Sequence, residues 1–167
     1  MTAIRRYFVV LSLMLWQGGF LFYSAFVVPV GTEILGTAAA QGAITARVTD
    51  TLNLCSLPAL ALLAWDQAVS RDPRKRRTAL RWCGWGIAGG CQIALFVVHQ
   101  MLDSLMNPDR TYVVIHPPFR PLHRIYLWTS TVQWGASLIL IWMMIRAWNA
   151  ESSLTPTVSE PAGERAH

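Results

Sequence analysis

Charged side chains are scarce in this sequence. They make up 14% of the 167 residues, whereas hydrophobic residues make up 53% and the mean hydropathy is +0.36. Ordinary soluble domains carry about 25% charged residues, so this balance favours a protein whose solvent is a lipid bilayer. The apolar residues also lie in long blocks and do not alternate with polar ones, which disfavours a transmembrane β-barrel.

Sequence motifs of catalysis and redox chemistry are missing too. Hydrolase, kinase and dinucleotide-binding signatures are absent, and no redox CxxC pair occurs. The three cysteines, Cys55, Cys83 and Cys91, fall within apolar runs. Cys83 and Cys91 lie about two helical turns apart, which is too far for a disulfide. These absences favour a protein without enzymatic activity.

Four long apolar runs predict four membrane-spanning helices. They cover about residues 7–30, 52–69, 79–102 and 122–147. About 20 helical residues cross a hydrocarbon core of about 30 Å, and helices satisfy their own backbone amides where water is absent. The fold class predicted is therefore an all-α, polytopic membrane protein, a four-transmembrane-helix bundle.

The two ends of the chain are predicted to differ. The first apolar run is longer than the core of a secretory signal, and no small-residue cleavage site follows it, so we expect a retained helix. The last stretch is polar and contains proline, which is typical of disorder. The sequence thus predicts a membrane domain over residues 1–149 and a disordered cytoplasmic tail over residues 150–167.

Basic residues are distributed unequally between the two predicted sides. If both termini are cytoplasmic, ten of the fourteen lie inside and four outside. Because cytoplasmic loops carry the excess of Lys and Arg, we expect both termini to face the cytoplasm of a bacterial-type cell, with the protein in the inner (plasma) membrane. The inside set is Arg5, Arg6, Arg71, Arg74, Lys75, Arg76, Arg77, Arg81, Arg146 and Arg165; the outside set is Arg47, Arg110, Arg120 and Arg124.

A basic cluster, RDPRKRR at residues 71–77, joins the second and third predicted spans. Such clusters also occur in nucleic-acid-binding proteins. A short inside loop, however, is expected to be basic, and each Lys or Arg near anionic lipid contributes about 1 kcal/mol of attraction. We therefore predict anionic lipid as the partner of this loop, and no nucleic acid.

Histidines and acids gather at the predicted outer side. His99 and Asp103 are one helical turn apart and share a face of the third span, and Asn53, His123 and Arg124 should enter the bundle at a similar height. A carboxylate that holds one histidine nitrogen orients a metal ligand or tunes a proton carrier. No HxxxH, ExxH or paired-cysteine spacing accompanies this group, so polar pairing at a helix end is the competing interpretation.

Haem ligation is a related alternative, since four-helix bundles can hold cofactors between facing helices. His99 and His123 are the histidines predicted on separate spans. His123 sits at the mouth of its span and His99 about one turn deeper, so coaxial ligation requires a helix tilt or shift. His116 lies among the prolines of the second outer loop and His167 ends the tail, so neither strengthens the case for haem ligation. No cofactor is predicted from the motifs, and haem or a metal ion stays open.

Three amides and four glycines complete the candidate residues. Gln17, Gln92 and Gln133 each fall near the middle of a span, which predicts either an interhelical hydrogen-bond layer or a polar pocket for a substrate or quinone head group. Small residues let helices approach closely in lipid. The glycines predicted to pack helices are Gly18, Gly19, Gly86 and Gly90, and the last two suit contact within one chain or between copies.

The stretch WQGGFLFYSAFVVP, followed by QGAITARV, resembles the small four-span membrane proteins related to transmembrane protein 205, many of them bacterial and of unknown function. The resemblance rests on Gly18, Gly19, Pro29 and Arg47 and covers about residues 7–147. It implies a four-helix membrane protein without established catalytic residues. A looser similarity to the membrane domain of copper resistance protein D implies copper handling, although the methionine and histidine clusters are missing here.

Three hypotheses for the function follow. The first is an accessory or structural subunit, or a binder, that acts in the bilayer with a membrane protein partner or as a homo-oligomer. The second is a haem- or metal-binding protein that uses His99, Asp103 and His123. The third is a small transporter with a pocket formed by Gln17, Gln92 and Gln133.

Overall fold

Helices account for the architecture of the chain. The computed structural model describes residues 2–70, 72–105 and 119–153, and within these ranges it contains no strand. The prediction of an all-α protein is confirmed. The helices are α1 (Thr2–Leu35), α2 (Ala38–Val69), α3 (Lys75–Asp103) and α4 (Phe119–Ser153).

Each helix is longer than the apolar run that predicted it, most of all α2, which begins at Ala38 and not near residue 52. Gly36 ends α1 with a left-handed φ of 67°, a conformation that favours glycine. Thr37 then caps α2, because its hydroxyl oxygen accepts a hydrogen bond of 3.3 Å from the Ala40 amide. The predicted tail begins within α4; its remainder, residues 154–167, lies outside the described residues.

The helices alternate in direction, as contacts at their ends show. Asp66, near the end of α2, pairs with Arg5 at the start of α1 and with Arg81 near the start of α3. Arg5 also contacts Glu151, near the end of α4. We call this end of the bundle, with Arg5, Asp66, Arg81 and Glu151, the basic end.

The opposite end contains the other junctions. His99 of α3 lies 2.7 Å from Asp50 of α2, and its ring is 5.9 Å from that of Tyr126 of α4. Tyr23 of α1 hydrogen-bonds with Thr45 of α2. We call this the cavity end, because the main cavity of the described chain opens there.

The hydrophobic core lies in the half of the bundle next to the basic end. All four helices contribute to one buried cluster there. A smaller cluster near the cavity end contains Leu95, Leu102 and Tyr126. The bundle is thus tightly packed in one half and open in the other. The larger cluster consists of Val9, Leu13, Trp16, Ala59, Leu60, Leu63, Ala88, Leu140 and Met144.

Two π-helical turns interrupt the hydrogen-bond pattern of α1, at Met14–Gly18 and at Tyr23–Val27. Such turns are rare and occur frequently at functional sites. Trp16 in the first turn and Tyr23 in the second are buried against the rest of the bundle. The apolar pattern of the sequence did not predict them.

Large apolar side chains cover much of the outer surface. Ile34, Leu54, Ile93 and Ile139, one from each helix, are all exposed, which is typical of a surface that faces lipid or a partner. By length and composition, Thr2–Leu35, Ala39–Val69 and Lys75–Asp103 are each able to cross a membrane. Helix α4 is not among them, and its central sequence TSTVQWGAS contains several polar residues.

The loop between α2 and α3 contains a local ion pair. Arg77 donates two hydrogen bonds, of 2.5 and 2.6 Å, to the Asp72 carboxylate, which also accepts one from the Arg74 amide. The hydrogen bond from Arg77 lowers the pKa of the Asp72 carboxyl, so Asp72 is ionised at neutral pH. Arg74, Lys75 and Arg76 are exposed, and anionic lipid as the partner of this loop stays a prediction.

Candidate functional site

A cavity of about 570 Å³ opens at the cavity end, and all four helices line it. Its walls are mostly apolar, and its volume lies within the range of small-molecule sites, about 300–1,000 Å³. Polar groups converge on it from α2, α3 and α4. They include Thr49, His99, Asp103, Arg120, His123 and Tyr126.

Hydrogen bonds between α1 and α2 hold one wall of this cavity. Tyr23 donates to Thr45 over 3.1 Å, and the Gln41 amide donates to the Tyr23 hydroxyl over 3.3 Å. A Cβ added to Gly31 would overlap the Gln41 side chain. The two helices therefore approach closely where Gly31 stands, a contact that sequence reasoning missed.

His99 stands at the edge of the cavity between two carboxylates. Its Nε2 atom lies 2.7 Å from Asp50 Oδ1 and 3.7 Å from Asp103 Oδ1. The structure thus brings His99 and Asp103 together and adds Asp50, which sequence reasoning missed. One signal was present: Asp50 precedes Asn53 by three residues and so shares its helix face.

Of the three other residues predicted at this height, His123 and Arg124 have different positions with respect to the cavity. His123 lines the cavity, and its ring stacks on that of Phe119 at 5.7 Å with an interplanar angle of 9°. Arg124 is exposed and does not line the cavity, whereas Arg120, about one turn earlier in α4, does. The face of α4 that carries Phe119, Arg120 and His123 therefore points into the cavity.

Three amide side chains form a hydrogen-bonded row below the cavity, which we call the amide chain: Asn53, Gln92 and Gln133. Gln133 Nε2 donates to Gln92 Oε1 over 2.8 Å, and Gln92 Nε2 lies 3.4 Å from Asn53 Oδ1. Asn53 Nδ2 donates to the Tyr126 hydroxyl over 3.3 Å. The chain links α2, α3 and α4 in the manner of an interhelical hydrogen-bond layer.

Gln17 lies beside the amide chain without joining it. It is half-buried and lines a second, much smaller cavity with Asn53 and Gln133. Among the described residues, no hydrogen bond links Gln17 to the other amides. The predicted pocket of three glutamines, and with it the transporter hypothesis, stays a prediction.

The four predicted packing glycines differ in their surroundings. A Cβ added to Gly19 would lie 3.0 Å from Leu52 Cδ2, so α1 and α2 are in close contact there. At Gly18, Gly86 and Gly90, an added Cβ would meet no described atom within 4 Å. Within the described chain, Gly19 is therefore the member of the four at which helices approach closely. Contact between copies through Gly86 and Gly90 stays a prediction.

A fully buried carboxylate joins the four helices at the basic end. Asp66 has an exposed fraction of 0% and accepts hydrogen bonds from Arg5 Nε over 2.8 Å, Arg81 over 3.3 Å and Trp148 Nε1 over 3.0 Å. We call Asp66, Arg5, Arg81 and Trp148 the Asp66 clamp. Because its members come from α1, α2, α3 and α4, the clamp holds all four helices together.

Comparison with known proteins gives no match to a protein family, to a curated protein or to a solved structure. The resemblance to proteins related to transmembrane protein 205 accordingly stays a prediction.

Proposed function

We propose that this chain is a four-span membrane protein with both termini in the cytoplasm, and that it binds a small amphipathic molecule in the cavity at its outer side. The observation that carries the proposal is the cavity: about 570 Å³, mostly apolar, lined by every helix and supplied with polar groups at one side. In this proposal the protein is a binder and not an enzyme.

The length and contacts of α4 support a fourth span. At 35 residues, it extends about 52 Å, since an α-helix rises 1.5 Å per residue. Its Trp148 reaches Asp66 at the basic end, its Gln133 reaches Gln92 in the middle, and its Tyr126 lies beside His99 at the cavity end. Helix α4 thus runs beside α3 over the height of the bundle and, if α3 crosses a membrane, α4 crosses with it.

The charge at the basic end supports the orientation. Exposed Arg74, Lys75 and Arg76 lie at this end, near the Asp66 clamp and the described ends of α1 and α4. Lys and Arg favour the cytoplasmic side and are attracted to anionic lipid there. The cavity then opens toward the opposite side of an inner membrane.

We expect cysteine labelling to separate the two orientations. In a chain whose native cysteines are replaced by serine, Glu33→Cys at the cavity end reacts with a membrane-impermeant maleimide in intact cells. Ser153→Cys at the basic end is protected until the cells are opened. The reverse pattern would contradict the orientation, and equal reactivity at both positions in intact cells would contradict an even number of crossings.

The chemistry of the cavity indicates the class of ligand. Phe20, Val28 and Leu127 offer an apolar wall to a hydrocarbon chain. Arg120 and His123 offer N–H donors at the polar side. A head group with acceptor oxygens, such as a quinone or a carboxylate, on an apolar chain satisfies both sides.

The binding test uses decylubiquinone and undecanoic acid, which carry these two head groups on decyl chains of equal length. We expect at least one of them to raise the thermal stability of the chain in lipid nanodiscs. At a hundred times the Kd, a ligand that binds the folded state alone adds about 2.7 kcal/mol.

A cavity-filling variant provides the matched control. Ala46 lines the cavity and Ala61 faces outward on the same helix. We expect Ala46→Phe to abolish the stabilisation by the ligand and Ala61→Phe to retain it. Absence of a shift with both compounds, or an equal shift in both variants, would contradict binding in this cavity.

A further inference from the structure

Asp50, His99 and Asp103 place one nitrogen and two carboxylate ligands around a common point at the edge of the cavity. Their ligand atoms all lie within 4.8 Å of one another. We propose that these three residues, which we call the His99 triad, bind one divalent metal ion. This inference goes beyond the amphipathic ligand proposed above and does not depend on it.

The state of His99 is the observation that points to a cation. The residue is 7% exposed, and its Nε2 atom faces both carboxylates. The contact of Nε2 with Asp50 Oδ1 is short, at 2.7 Å, but lacks the geometry of a hydrogen bond. No other atom of the described chain forms a hydrogen bond with Nε2. A buried polar atom without a hydrogen bond is costly. A metal ion at that point would accept the Nε2 lone pair together with lone pairs of the carboxylate oxygens.

The distances suit coordination. Zinc binds histidine nitrogen and carboxylate oxygen at about 2.0–2.2 Å, which puts neighbouring ligand atoms of a tetrahedral site about 3.4 Å apart. The separations from His99 Nε2 are 2.7 Å to Asp50 and 3.7 Å to Asp103, so small side-chain rotations are sufficient. Both carboxylates also have other interactions, which the metal would share or replace.

The ligand set indicates the class of metal. Imidazole with carboxylates suits Zn²⁺, Mn²⁺ or Fe²⁺, whereas Cu(I) prefers thiolate and thioether ligands. Two carboxylates and a neutral imidazole carry a charge of −2, which balances a divalent ion. The Asp50 side chain is 45% exposed, so an ion can enter from the solvent side. Three protein ligands leave a coordination position for water or for a ligand in the cavity.

The triad differs from the metal site predicted from the sequence. That hypothesis combined His99 and Asp103 with His123, whereas the structure places Asp50 beside His99. His123 is in the same cavity and stacks on Phe119. It therefore provides a matched control for His99.

The experiment measures Co²⁺ and Zn²⁺ binding to the full chain in nanodiscs of neutral lipid, purified without a histidine tag and stripped with EDTA. We expect one Co²⁺ per chain by isothermal titration and visible absorption, displaced by Zn²⁺. Asp50→Asn, Asp103→Asn and His99→Ala should each weaken Co²⁺ binding at least about tenfold, while His123→Ala should change it by less than about twofold.

Three results would overturn the proposal. The first is a wild-type chain that binds no Co²⁺ and no Zn²⁺ at about 100 µM, a concentration well above the dissociation constants typical of metal sites in folded proteins. The second is unchanged binding in the triad variants. The third is an equal loss of Co²⁺ binding in His123→Ala and His99→Ala, which would show that the ion is not bound by the three proposed residues alone. We expect His99→Gln, which keeps side-chain volume as the two Asn variants do, to weaken binding as His99→Ala does, and far-UV circular dichroism verifies that each variant is folded.

Discussion

Asp66→Asn lowers the free energy of unfolding by about 3–5 kcal/mol, the cost typical of removing one member of a buried ion pair. Asp66 is the carboxylate that compensates both Arg5 and Arg81, which are 6% and 1% exposed. Asparagine retains a hydrogen-bond acceptor but loses the charge. Both guanidinium groups then stay buried without the negative charge of Asp66. Unfolding by SDS in mixed micelles, followed by loss of helicity, measures the change.

Asp72→Asn is the matched control for this prediction. Asp72 also pairs with an arginine, but Arg77 is five residues away in the same loop and helix start, so the pair does not join distant helices. We expect a loss of about 1 kcal/mol or less, as for a local ion pair beside the exposed residues of a loop. If both variants unfold at the same SDS fraction as the unaltered chain, the Asp66 clamp does not stabilise the bundle.

Leu140→Ala lowers the free energy of unfolding by about 2–5 kcal/mol, because it leaves a cavity in a packed core. Leu140 has an exposed fraction of 0% and lies in the cluster next to the basic end, with Leu63 and Met144. The same SDS titration measures the effect. A loss of stability in this range would agree with the tight packing in this half of the bundle.

Ile139→Ala, one residue earlier, provides the comparison. Ile139 is 62% exposed, so its truncation removes contacts with lipid or detergent and leaves no internal cavity. We expect a loss below about 1 kcal/mol, as for surface substitutions. Equal losses for Leu140→Ala and Ile139→Ala would show that the assigned buried face of α4 is wrong.

The helices were predictable because hydropathy is a local property of the sequence. The long apolar run missed the polar first half of α2, although Ile44, Val48 and Leu52 recur four residues apart and indicate a helix that leads into the second span. Gln41, Thr45 and Thr49 line the cavity or its wall, where hydrogen bonds satisfy their side chains. A hydropathy pattern does not distinguish a polar residue that faces a cavity from one that faces water.

The long-range contacts could not be predicted for a different reason. Arg5 and Asp66 are 61 residues apart, and nothing in either local sequence indicates that they meet. Asp50 was missed as a neighbour of His99 for the same reason. In contrast, Asp103 was found because residues four apart on one helix must share a face. The candidate site was therefore predictable within α3 and not across helices.

The two π turns of α1 have a consequence for the shape of the cavity wall. A π turn contains an extra residue relative to the α-helical repeat, and each added residue corresponds to a rotation of about 100°. Met14–Gly18 thus sets the rotational phase of everything that follows it in α1, including Phe20 and Tyr23. In a uniformly α-helical segment, the same sequence would turn those aromatic rings about 100° away from their present direction. The direction in which the side chains of α1 face the cavity therefore depends on the backbone hydrogen bonds of this helix as well as on which residues it contains.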